Sequence, residues 1–202
     1  MRQFEMDIKI SNHLVFPPQF TDLVLMEDQQ CIITNSYTSP VGELILGSWG
    51  DSLCLCDWRY RDMREAIDRR ISNGLNAEFK EGDSEVIRAT IYQLDAYFSK
   101  ELHHFTIPLV LVGTDFQKLV WNELLTIPHG QTISYHELSR RLGDLGAIRA
   151  VASANGANAI SLLVPCHRVI GSDGSLVGYA GGIRAKQKLL ELEGMSEQLS
   201  MF

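Results

Sequence analysis

Inside the stretch SLLVPCHRVIGSDG, residues 161–174, a cysteine and a histidine stand side by side behind a proline, at the end of an apolar run. The thiolate, not the thiol, is the nucleophile, and a free thiol with a pKa of about 8.5 needs a neighbour that takes its proton or steadies the anion. His167 is the candidate base for Cys166. On an extended segment consecutive side chains point to opposite faces, so His167 is expected to reach the sulfur through a water molecule. A buried structural cysteine needs no polar company, and a disulfide needs a partner. Four cysteines, Cys31, Cys54, Cys56 and Cys166, in 202 residues do not form a disulfide framework, and a reducing compartment would keep them as thiols.

Elements must hold these groups in place. With 45% hydrophobic residues in 202, the chain is ordinary for one large globular domain or two small ones. It shows no basic start followed by an apolar core and a small-residue cleavage site, and no apolar run of membrane-spanning length. A cytoplasmic protein without a membrane partner is therefore expected. Residues 1–105 hold ten Lys or Arg against seventeen Asp or Glu, whereas residues 106–202 hold eight of each. The second half is electrostatically open to a polyanion and the first is not.

Residues 1–30, with the pair Pro17-Pro18, read as an irregular or partly helical extension. From Cys31 to Trp58 three short apolar runs are separated by SPVG and WGDS, the pattern of a small antiparallel meander. Ile87, Ile91, Leu94 and Phe98 recur at helical spacing behind a capping Ser84. Pro108 and PLVLVGTDF place a boundary near residue 108, between an acidic unit (31–108) and a neutral one (109–202).

The second unit reads as helices. TDFQKLVWNELLTI forms a capped helix with Phe116, Val120, Trp121 and Leu124 on one face. TISYHELSRRLG forms a second helix stopped by Gly143, and AIRAVASANGAN a third, rich in small residues and bearing an arginine. Two short helices joined by a tight turn make a helix-turn-helix pattern, although most short helix pairs bind no DNA.

The run PCHRVIGSDGSLVGYAGG, preceded by GTDFQKLVW, ISYHELS and RAVASANGAN and followed by KLLELEG, resembles the O6-alkylguanine-DNA alkyltransferases, the methylated-DNA–protein-cysteine methyltransferase family. The likeness covers about residues 110–194 strongly and 31–108 more weakly. It implies an α+β fold: a small antiparallel, ribonuclease H-like sheet with a helix, then a mainly helical, winged helix-turn-helix-like domain. It also implies a repair reaction. Cys166 would take the alkyl group from O6 of guanine in DNA, or from O4 of thymine, and keep it as a thioether. A thioether is not hydrolysed, so the protein would act once, without a cofactor.

The resemblance also assigns roles. Glu193 would orient His167, Asn158 would brace the backbone around the thiol, and Tyr135 would hydrogen-bond a ring nitrogen of the flipped base. Arg149 would fill the gap the base leaves, on a helix whose Ala150 and Ser153 face a double-stranded partner from its minor groove. Val169, Tyr179, Ala180 and Gly181 would wall the base pocket. Each has a plainer reading: a small buried hydrophobe for Cys166, a satisfied core histidine for His167, a solvated helix-end carboxylate for Glu193. Arg149 alone reads as an exposed helix arginine, Tyr135 as a packing residue, and Arg168 as a structural ion-pair partner.

Some relatives hold a structural zinc in the first unit. Here Cys54 and Cys56 lie one residue apart in an apolar strand and His103 and His104 follow a helix, neither a paired-ligand spacing, so no metal is expected. The protein is expected to act as a monomer. Three readings compete: a protein that recognises alkylated DNA without reacting, which Cys166 argues against; a transcription regulator, which residues 1–30 are too short to equip; and a cysteine hydrolase, supported by the Cys-His pair alone.

Overall fold

Three apolar runs divided by two tight turns zip into antiparallel strands β1 (Cys31–Ser39), β2 (Gly42–Trp49) and β3 (Ser52–Trp58) in the computed structural model, which describes residues 31–195. Gly50 sits in the second turn at φ 54°, a left-handed conformation that glycine adopts at little cost. The expected extension, residues 1–30, lies outside the described residues.

The expected antiparallel meander forms, and the sheet it belongs to is mixed. A fourth strand, β4 (Glu78–Glu81), lies parallel to β1 and gives the order β3-β2-β1-β4. A parallel partner requires a crossover, supplied by a helix that the sequence reading missed, α1 (Arg64–Leu75). In REAIDRRISNGL only Ile67 and Ile71 are buried, so its apolar stripe is too narrow for periodicity to declare it.

Helix α2 (Glu85–Phe98) starts where Ser84 accepts a hydrogen bond from the Ile87 amide (3.1 Å) and buries Ile87, Leu94 and Tyr97. The outer edge of β3 is not left open. Leu53 N donates to Pro108 O (2.8 Å) and Val110 N to Leu53 O (3.0 Å), while Cys56 N donates to Ala159 O (2.9 Å) and Ser161 N to Cys56 O (2.6 Å). Residues 108–110 and 159–161 thus cover an edge that would otherwise invite another strand. One apolar core runs across both halves, joining Leu44, Leu46 and Leu53 to Trp121, Val151, Cys166 and Leu189.

In the second half, α3 (Asp115–Leu124) opens on a capping box between Thr114 and Gln117 and buries Val120, Trp121 and Leu124. Phe116, expected on the same face, is exposed together with Leu119, because the helix meets the core only from Val120 onward. Ser134 caps α4 (Tyr135–Arg141), and Gly143 at φ 81° turns the chain out of it. A 3-10 turn, Leu145–Ala147, leads into α5 (Ile148–Gly156). Two residues on each side form the parallel pair β5 (Ile133–Ser134) and β6 (Val169–Ile170), and α6 (Ile183–Leu192) closes the fold.

Candidate active site

Cys166 lies on a single 3-10 turn, Cys166–Arg168, and not on an extended segment. The premise for divergent Cys166 and His167 side chains therefore changes: at three residues per turn they point about 120° apart. The approach to the turn is tightly bent, with Leu162 buried at φ 68°, a conformation rare for a residue with a branched side chain. Asn158 holds the loop from inside. Its Nδ2 donates to Val164 O (2.9 Å) and lies 3.2 Å from Cys166 Sγ, while its Oδ1 accepts from Ile160 N (2.9 Å).

Cys166 is 3% exposed. Burial pushes its thiol up from the ordinary value, and the Asn158 hydrogen bond and the Lys186 and Arg61 charges pull against that rise. Beside it, His167 is fully buried, with Nε2 3.0 Å from Glu193 Oε1. Burial pushes the imidazole down, and the Glu193 hydrogen bond only partly restores it, so the ring is neutral near pH 7. A neutral ring donating from Nε2 leaves Nδ1 as an acceptor, and Nδ1 is buried with no hydrogen-bond partner among the described residues.

Glu193 caps the C-terminal end of α6, and its carboxylate collects five hydrogen-bond contacts. Oε1 receives His167 Nε2, Tyr97 Oη (2.8 Å) and Arg168 Nη2 (2.9 Å); Oε2 receives Arg168 Nε (2.9 Å) and Gly130 N (3.2 Å). Burial alone would raise this carboxyl, but the hydrogen bonds from His167 and the paired Arg168 guanidinium hold it well below the ordinary carboxylate range.

Helix α5 turns Arg149, Ala150 and Ser153 outward and buries Val151, Ala154 and Asn155. Arg149 lines a cavity of about 540 Å³ together with Tyr135, Met63, Tyr179 and Ala180. Tyr135 Oη accepts a hydrogen bond from Asn155 Nδ2 (3.1 Å), which leaves the phenol's own hydrogen free to donate. Burial, then the nearby Cys166, pushes that phenol up to about 12, so it keeps its proton at neutral pH. Burial, then the nearby Cys166, also pushes the Tyr179 hydroxyl well above the ordinary phenol value, and the Trp58 indole pulls against that rise.

The structure thus brings Cys166, His167, Glu193 and Asn158 into one buried cluster, and Tyr135, Arg149, Tyr179 and Ala180 around one cavity. Two expected wall residues lie apart from that cavity. Val169 is fully buried in β6, and Gly181 lines a neighbouring cleft against Trp58, where a Cβ would meet the indole at 2.3 Å. His103 and His104 are exposed, with His103 Nδ1 3.3 Å from His129 Nδ1.

Several participants were missed from sequence. Lys186 is fully buried and donates from Nζ to Val169 O (2.5 Å) and Val177 O (2.8 Å), tying down both ends of the loop that leads to the wall. In KQKLLELEG it looks like any surface lysine. Arg61 donates to Asp57 (2.7 Å), Gly156 O (2.6 Å) and Asn158 O (2.9 Å), and Arg70 to Ala157 O (2.9 Å). Two cations of the first half thus cap the C-terminal carbonyls of α5, where the helix dipole favours them. Helix α1, which would have pointed to Arg70, was itself missed.

Residues 115–195 match the family described as 6-O-methylguanine DNA methyltransferase, DNA binding domain, and residues 32–111 match its ribonuclease-like domain. Fold and site therefore define a DNA-directed methyltransferase with a buried cysteine at its centre. The methylated-DNA–protein-cysteine methyltransferase of Mycobacterium leprae is 46% identical over 161 residues, 78% of this chain and 90% of the relative. That of Methanosarcina acetivorans is 42% identical over 158 residues, 78% of this chain and 96% of the relative. Among solved structures, Mycobacterium tuberculosis OGT in complex with DNA superposes with a TM-score of 0.69 at 42% identity, covering 80% of this chain and 92% of that one. The chain belongs to the methylated-DNA–protein-cysteine methyltransferase family.

Proposed function

We propose that the protein repairs alkylated DNA by moving the alkyl group from O6 of guanine onto Cys166, once per molecule. The observation that carries this reading is the buried Cys166, braced by Asn158 and adjoining a neutral His167 whose Nδ1 has no hydrogen-bond partner among the described residues. A water molecule between Sγ and Nδ1 would pass the thiol proton to His167, and Glu193 would stabilise the imidazolium. The thiolate then attacks the alkyl carbon, a C–S bond forms, the C–O6 bond breaks, and its electron pair leaves on guanine. Tyr135, a phenol with its hydrogen free, donates to the ring as that charge develops, and the proton taken from sulfur is returned to guanine in the balance. A thioether and an unmodified base remain.

The target atom lies inside a duplex, so the nucleotide must leave the stack at a cost of a few kcal/mol. Exposed Arg149 at the cavity rim fits the role of filler, and the outward Ala150 and Ser153 let the α5 backbone approach a minor groove closely. Contacts of that kind read shape and backbone, which suits repair in any sequence. The protein acts in this reading as a monomer in the cytoplasm, without cofactor or metal. No helix among the described residues is long and apolar enough to cross a membrane.

The test is intact-protein mass spectrometry with peptide mapping after incubation with a duplex carrying O6-methylguanine. One methyl on Cys166 per protein, however much DNA is added, is the expected result. Binding without a mass gain would make the protein a recognition module instead.

A further inference from the structure

We infer that Tyr97, a residue of the first half, is a positioning residue of the transfer reaction that sets the basicity of His167 through Glu193. The inference rests on the reading of Cys166 as acceptor and His167 as its base. Tyr97 lies on α2, is 1% exposed, and places its hydroxyl 2.8 Å from Glu193 Oε1. That oxygen is the same one His167 Nε2 contacts at 3.0 Å. Every hydrogen bond to Oε1 withdraws charge that would otherwise favour a proton on the imidazole, so the phenol and the imidazole compete for one lone-pair region.

The geometry leaves Tyr97 little freedom. Its ring packs edge-on to Phe98 (5.3 Å between centroids) and His129 (6.3 Å) and tilted on Phe105 (5.3 Å). A carboxylate is an acceptor only, so the phenol is the donor. The groups that act on His167 are Glu193 and Lys186 from α6, Arg168 on its own turn, His129 from the loop before β5, the Tyr179 ring at 6.3 Å, and Tyr97 behind Glu193. Among these, Tyr97 alone belongs to the first half. The acceptor centre is thus completed across the domain division.

The sign follows from charge. Loss of the Tyr97 hydroxyl leaves Glu193 Oε1 a stronger partner for an imidazolium, so the His167 pKa rises and the neutral base is populated only at higher pH. In Tyr97→Phe, which keeps the ring and its packing, the acid limb of the single-turnover transfer rate moves to higher pH by about one unit, the scale of one hydrogen bond to a charged group. The experiment measures that rate from pH 5 to 9 with excess O6-methylguanine duplex, for wild type, Tyr97→Phe, Glu193→Gln and the double variant. The double variant should match Glu193→Gln in midpoint, since the shift travels through the carboxylate.

An unmoved or lowered midpoint in Tyr97→Phe overturns the assignment, as does a wild-type profile with no acid limb. A loss of thermal stability with a uniform drop in rate at every pH marks a merely structural tyrosine and overturns it equally. A shift that persists in the Glu193→Gln background also counts against it. If wild type gains no methyl on Cys166, the reading of the centre fails, which is distinct from a reactive wild type whose Tyr97→Phe variant keeps its midpoint.

Discussion

Lys186 illustrates how much one side chain can carry. Its ammonium satisfies Val169 O and Val177 O and lies near enough to Cys166 for their charges to interact. Burial pushes it down to about 8, so the charge that favours the thiolate is fully present only below that pH. Lys186→Met should leave two carbonyls without their donor and destabilise the protein by about 2–4 kcal/mol, seen in urea denaturation. It should also slow transfer at pH 7 more than at pH 9, which stopped-flow single-turnover rates would check. Sequence made Cys166 and His167 legible because their pairing is unusual in itself. Glu193 became legible only through a resemblance, and Tyr97 not at all: it reads as a core aromatic on an amphipathic helix, and its partner lies 96 positions away.

Helix α5 is fixed at one end and presented at the other. Arg61 and Arg70 hold its last carbonyls, Trp121 Nε1 donates to Ala154 O (2.8 Å), and Arg149 is exposed near its start. Arg149→Ala should therefore leave stability within about 0.5 kcal/mol, as surface changes do. It should slow reaction with duplex DNA at least tenfold while sparing reaction with free O6-methylguanine base; equal losses on both substrates would remove the filler role. In the cleft beside the Tyr179–Ala180 wall, Gly181 lets the backbone pass close to Trp58. A Cβ at Gly181 would lie 2.3 Å from Trp58, and such overpacking costs about 1–3 kcal/mol. Gly181→Ala is expected to lower the melting temperature and to impair transfer from a bulky alkyl group such as benzyl more than from methyl. Helices α3 and α4 were legible because the Thr114 and Ser134 caps and Gly143 punctuate them. Strand β4 was not, since EFKE at a sheet edge buries almost nothing and carries no alternation of its own.

Across the whole molecule, the halves differ in charge yet share one core and one sheet edge. A fragment of residues 109–202 alone should expose Ile160 and the Ala159–Ser161 backbone that pairs with Cys56, and behave as an expanded, dye-binding chain without near-ultraviolet circular dichroism. Acid should act through Glu193. Its folded pKa lies below the unfolded value of about 4.3, so its stabilisation is complete above that pH and is lost as pH falls toward the folded value. Urea midpoints at pH 7 and pH 3 should converge in Glu193→Gln relative to wild type. Composition suggested a division near residue 108 but said nothing of how the two sides join: Cys56 with Ile160, Arg61 with Gly156 and Asn158, and Ser161 near Asp57 are meetings that only the folded chain makes. Trp58 stands at that junction, 5% exposed, edge-on to Tyr179 at 5.7 Å. It offers a native optical reporter for the proposed reading, in which a base entering beside Tyr179 would alter the field around this indole and hence its emission, with no label attached.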